Sequence, residues 1–136
     1  VSGALRVVGY WGESVARSPD AGGEWYLGGR WTPGAWGVLV WMRAEGLRMA
    51  AALGPECGAA VVFREWAEDS AYRRVQLAAL LAGHPVSVNA RGPDRICGLG
   101  PVGDDAGADT EVEVLYSISA RPIRRPATRR LLRHSP

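Results

Sequence analysis

The chain contains no lysine: all sixteen of its basic residues are arginine. With its abundant Ala, Gly and Pro, this bias points to a GC-rich coding sequence and says little about the fold. Cysteine is scarce too. Cys57 and Cys97 are the only two, and their spacing matches no metal-ligand pattern. Two isolated cysteines exclude a disulfide-stapled scaffold and read as free thiols in a reducing cytoplasm. No apolar run approaches the roughly 20 residues of a membrane span. The opening VSGALRVVGYW has neither the basic region nor the cleavage site of a secretory leader, so the expected location is cytoplasmic. No internal repeat is evident.

At 136 residues the chain is long enough for one domain that buries about two-thirds of its unfolded surface. Its apolar content of 47%, with six tryptophans, places it among globular rather than disordered chains. Charge is unevenly spread. Residues 117–136 hold six arginines and no acid, whereas residues 1–116 hold ten arginines against fourteen acids. The expectation is a mildly acidic domain over 1–119 and a basic Arg/Pro-rich tail over 120–136. A phosphate-contacting arm is one reading of that tail and a solvated or subunit-wrapping arm another. The acidic body, and arginines that do not alternate with Trp and Tyr along the tail, count against nucleic acid.

Local patterns give the element order. Leu5 to Trp11 predicts a strand, and Ser18 to Gly23 a turn. Glu24 to Trp31 is ambiguous between strand and bend. Thr32-Pro33 is a helix-start signal and Gly46 a stop, which favours a helix between them, although VLVW within it also suits a strand. Leu47 to Leu53 and Ala59 to Phe63 read as two strands of a hairpin turned by Gly54-Pro55. Glu68, Asp69 and Ser70 supply the acidic first turn and cap of a second helix. Its expected core face is Ala71, Val75, Ala78 and Ala82, widened by Leu77 and Leu81, with Arg73 and Gln76 facing water. Gly83-His84-Pro85 ends it. Val86 to Ala90 suits a short strand, Gly92-Pro93-Asp94 a turn, and 98–109 a surface loop. Glu111 to Ser119 alternates cleanly, with Val112, Val114, Tyr116 and Ile118 on one side. The resulting βαββαβ order predicts a ferredoxin-like α+β sandwich, an antiparallel sheet with helices on one face. Its other face is left open, and two copies commonly pack sheet to sheet, so a homodimer, a dimeric α+β barrel, is expected.

Within that frame, WGVLVWMRAEGL, AAVVFREW and AYR resemble the small antibiotic-biosynthesis monooxygenases, in particular the cofactor-independent oxygenases of aromatic polyketide pathways. The matching positions are Trp41, Arg43, Gly46 and Leu47, then Trp66, Ala71, Tyr72 and Arg73. The resemblance implies oxidation of a phenolic or anthrone-type substrate to a quinone by dioxygen, with no metal, flavin or haem. The substrate would be deprotonated and held in a water-poor pocket. It implies Trp66 and Tyr72 as catalytic hydrogen-bond donors, and Arg64, Val62, Trp36 and Arg91 as substrate-binding candidates. Val62 stands where the oxygenases it resembles carry asparagine, and Arg91 is a possible substitute for an arginine of theirs that has no clear match. Gln76 stands where haem-degrading relatives carry histidine, which disfavours haem.

The same residues also suit plainer roles. Trp66 and Tyr72 fit core packing, and Trp25, Trp31, Trp36 and Trp41 fit core or dimer surface. Arg64 fits a surface arginine or an anion partner, and His84 a solvated helix end or an outside candidate base. A non-catalytic ferredoxin-like module for dimerisation or partner binding is therefore the alternative function, and a polyketide cyclase a weaker one.

Overall fold

Strand β1 (Leu5–Ser18) turns through Gly22 into β2 (Gly23–Thr32). Gly22 has φ 70, a left-handed value that favours glycine, and its N–H donates to the Ser18 carbonyl at 2.8 Å. The computed structural model describes residues 4–95 and 111–127. Three helices follow the hairpin: α1 (Ala35–Leu53), α2 (Gly58–Glu68) and α3 (Ser70–Leu81). The chain then forms β3 (Val86–Arg95) and β4 (Glu111–Pro126). The four strands make one antiparallel sheet in the order β2-β1-β4-β3, and the helices pack on one face of it.

The fold is thus α+β with an antiparallel sheet, as expected, but its order is ββαααββ and not βαββαβ. The topology explains the difference. First and last strands pair at the centre of the sheet, leaving β2 and β3 at opposite edges. The chain must cross three strand spacings, about 14 Å, between them, and the three helices make that crossing over one face.

Two sequence expectations gave way inside the helical layer. Leu47 to Leu53 is not a strand but the second half of α1, and Ala59 to Phe63 is the start of α2. In α1 the buried positions Ala35, Val38, Leu39, Met42, Glu45, Gly46, Met49 and Ala50 keep helical spacing straight through Gly46. Gly46 is a site of close approach: a side chain there would sit 3.4 Å from the Trp66 ring and 3.6 Å from Ile118. The α1 stop is Gly54, with φ 92. In α2, Ala59, Ala60, Phe63, Trp66 and Ala67 form the buried stripe, so the helical period runs across the segment that reads as a strand exit.

The buried stripe of α3 is also displaced from its expected position. Gln76 and Leu80 are buried, Arg73 and Leu77 half-buried, whereas Ala71, Val75, Ala78, Leu81 and Ala82 are exposed. At the sheet edge, β3 continues through Gly92-Pro93-Asp94, where a turn is expected, and β4 runs seven residues beyond Ser119 to Pro126. Pro93 is tolerated because β3 is an edge strand. On β4 the expected inward face holds: Val114, Tyr116 and Ile118 are buried and Val112 half-buried. Cys57 is a free, half-buried thiol, whereas Cys97 and the 98–109 loop lie outside the described residues.

One charged group is buried between layers. Glu45 of α1 accepts from Ser14 Oγ of β1 at 2.7 Å and from Arg48 Nη2 at 2.6 Å. Burial pushes its carboxyl up, but the hydrogen bonds from Arg48 and Ser14, with the Arg48 charge, outweigh that and hold it below the ordinary value of 4.5. Gly28 supplies the room, since a Cβ there would stand 3.0 Å from Glu45 Oε2. A lowered carboxylate contributes stability that is fully present above its unfolded value and lost as pH falls through the folded one. Glu45→Gln is expected to cost about 1.5–3 kcal/mol at neutral pH. In urea titrations its deficit relative to the native chain should shrink as pH drops below 4.5.

Candidate functional site

The six expected site residues do not converge. Trp66 is in the core at 6% exposure, its ring against Gly46. Its indole N–H donates to Gln76 Oε1 at 2.9 Å, and Gln76 Nε2 reaches the Ser87 carbonyl at 3.5 Å. The Trp66 donor is therefore engaged inside the protein. Tyr72 lies on α3 and is 46% exposed, and its backbone N–H donates to the capping Asp69 carboxylate at 2.9 Å. Val62 is exposed on α2. Arg64 reaches back to the Pro55 carbonyl at 3.1 Å. Arg91 belongs to the sheet face away from the helices, where it pairs with Glu113 at 3.8 Å. His84 is exposed beyond the end of α3.

Trp36 borders a hollow. Together with Leu39, Val40, Arg43 and Ala44 of α1 and Arg73 of α3, it lines a groove of about 370 Å³. Trp66 and Tyr72 do not line it. Trp36 and Val40, one turn apart, are exposed because the inward stripe of α1 lies on the other side of the helix. The groove is therefore apolar along its α1 wall.

Its two charges are fixed by a third element. Arg43 Nε donates to the Ala67 carbonyl at 2.7 Å. Arg73 Nη1 donates to the Trp66 carbonyl at 3.0 Å and also to the Ala67 carbonyl. Both guanidiniums thus bind the C-terminal carbonyls of α2, where the helix dipole presents about half a negative charge. That half charge offsets only part of the two positive ones, and each guanidinium has five N–H donors. The arrangement offers fixed donors beside an aromatic ring. Such a site can hold a planar anion; it contains no nucleophile or carboxylate base.

The resemblance motif contained Arg43 and Arg73, but their meeting was hidden in the sequence. They are thirty positions apart and converge only because α2, read as a strand, is a helix whose end lies between them.

A second hollow of about 410 Å³ is lined by Leu53, Glu56, Cys57, Gly58, Pro93, Asp94 and Glu111. Beside it the Tyr116 hydroxyl donates to Asp94, and burial, with that hydrogen bond and the Asp94 charge, drives the Tyr116 pKa far up and keeps it protonated. Among the described residues, no group of three or more His, Cys, Asp or Glu side chains is placed to hold a metal ion, and no helix is long and apolar enough to cross a membrane. Compared with family models, curated proteins and solved structures, the chain matches none of them.

The Trp66–Gln76 bond makes a direct test of the Trp66 role. Gln76→Leu leaves a buried N–H without a partner and is expected to cost about 1–3 kcal/mol. Adding Trp66→Phe removes the stranded donor, so the double variant should lose less than the sum of the two singles, by about 0.5–3 kcal/mol in a double-mutant cycle. Additive losses would show that the indole is not held by Gln76.

Proposed function

We propose that the chain is a binding module whose α1–α3 groove takes a small aromatic anion. The observation that carries this is the convergence of Arg43 and Arg73 on the end of α2 in a groove that also presents the exposed Trp36 ring. The volume suits a ligand of one or two rings, since small-molecule sites start at about 300 Å³. A carboxylate or phenolate would accept from the two guanidiniums, and its ring would lie against Trp36 and the α1 wall. This reading is non-catalytic, like the dimerisation or partner-binding module anticipated from the sequence, but its partner is a small aromatic ligand. Of the expected substrate-binding residues it retains Trp36.

The oxygenase reading draws less support from the geometry. Its two donors would have to face one vacant space, yet the Trp66 N–H is engaged by Gln76 and the Tyr72 ring projects from α3.

1-Naphthoate is a suitable probe, with its uncharged methyl ester as the control. Calorimetric titration should show the acid binding and the ester binding at least tenfold more weakly, because a hydrogen bond to a charged group contributes about 1.5–3 kcal/mol. Trp36→Ala and Arg73→Ala should each weaken the acid by about tenfold or more; equal affinity for acid and ester would defeat the proposal. In a separate measurement, oxygen uptake with an anthrone should not exceed the uncatalysed rate. Uptake that is abolished by Trp66→Phe or Tyr72→Phe would instead establish the oxygenase reading.

A further inference from the structure

The sheet face turned away from the helices carries an aromatic and basic surface that the groove does not involve. Pairing register sets Trp31 of β2, Trp11 of β1 and Arg121 of β4 in one row across three strands. Tyr26 lies further along β2 on the same face, opposite Val15. Each ring is laid over a glycine. A Cβ on Gly9 would come within 2.8 Å of three atoms of the Trp31 ring. A Cβ on Gly29 would come within 2.8 Å of the Trp11 ring and the Tyr26 hydroxyl. Bare backbone beneath lets the rings lie down against the strands, so that their other faces meet solvent. Trp31 is 51% and Tyr26 61% exposed.

Three acids of this face are already engaged. Glu13 accepts from the Trp11 indole N–H at 2.9 Å. Glu24 pairs with Arg17 at 3.4 Å, and Glu113 with Arg91 at 3.8 Å. Arg121, and the pair Arg6 and Arg125 at the ends of β1 and β4, form no ion pair among the described residues.

We propose that this face binds single-stranded nucleic acid, with bases stacked on Trp31, Tyr26 and Trp11 and phosphates on Arg121, Arg6 and Arg125. Rings lying on a sheet can stack only on bases whose faces are open, which selects a single strand over a duplex. In the sequence the tail arginines lack interleaved Trp and Tyr and the body is mildly acidic; across the sheet the register sets two tryptophans beside Arg121.

The test is fluorescence anisotropy of the full chain with labelled oligo-dT and oligo-rU of about 12 nucleotides, alongside a duplex of equal length. Both single strands should bind more tightly than the duplex, and affinity should fall steadily between about 50 and 200 mM salt. Trp31→Ala and Tyr26→Ala should each weaken binding by about fivefold to a hundredfold, since stacking is worth that much per base. Arg121→Ala should reduce the logarithmic salt slope by about 0.7. Thermal melts of these surface variants should match the native chain; if an aromatic variant fails to fold, Arg121→Glu carries the test. The proposal is overturned by no binding at the lower salt, by equal binding of duplex, or by binding that survives both aromatic substitutions. It is overturned equally by self-association that Trp31→Ala abolishes while no oligonucleotide is taken up, which would make the occupant a second copy of the chain.

Discussion

The helical layer depends on one buried donor, the indole N–H of Trp66. An indole that enters a core must find an acceptor or lose the free energy of a desolvated polar group. Here the acceptor comes from α3, so the ring seated against Gly46 of α1 also fixes the rotation of the third helix. Gln76 must face inward, Leu80 follows it one turn later, and Val75 and Leu81 are left facing water. That choice carries Arg73 to the end of α2 beside Arg43. The groove is thus a consequence of a packing decision made by a tryptophan that does not line it.

The sheet imposes a complementary constraint. Because β1 and β4 form the central pair, the stability of the centre rests on residues near the two ends of the described chain. One face of these strands is covered by helices and shows small or apolar residues: Gly12, Ala16, Val114, Ile118 and Ala120. Gly12 is needed there, since a Cβ would meet Trp41 at 2.8 Å and Val38 at 2.9 Å. On the other face, Gly9 and Gly29 perform the corresponding service for Trp31, Trp11 and Tyr26. Glycine weakens a strand in isolation, so the three positions are best understood as seats for rings.

How much of this could be read from the sequence follows from the range of each signal. Strand β4 was legible because its alternation is local and one-sided. Helix α3 was legible through the Asp69 cap and Gly83, but its buried side was not. Counting apolar residues selects the alanine-rich stripe, whereas the inward stripe includes Gln76, whose partner lies ten positions upstream. Helix α2 was misread because five apolar residues bounded by a charged segment fit either period, and the decision rests on Trp66 and Ala67 continuing the stripe. Of the groove, Trp36 was anticipated; Arg43 and Arg73 required the geometry of α2. The aromatic row required the strand register, which a bulge between Ser14 and Val15 shifts by one residue and which no local pattern reveals.

The two surfaces act separately on electrostatic grounds. They lie on opposite sides of the sheet, separated by the helix and sheet layers, and exposed charges further apart than the Debye length, about 8 Å at physiological salt, are largely screened from one another. The field of Arg43 and Arg73 is therefore largely screened before it reaches Arg121. A net charge of +2 adds little long-range steering to either. Each proposed surface would have to hold its ligand by contacts within reach of its own arginines and rings. The groove would do so with two guanidiniums pinned to carbonyls, an arrangement suited to one charge in one place. The sheet face spreads its arginines along the strands, which suits a ligand whose charge repeats.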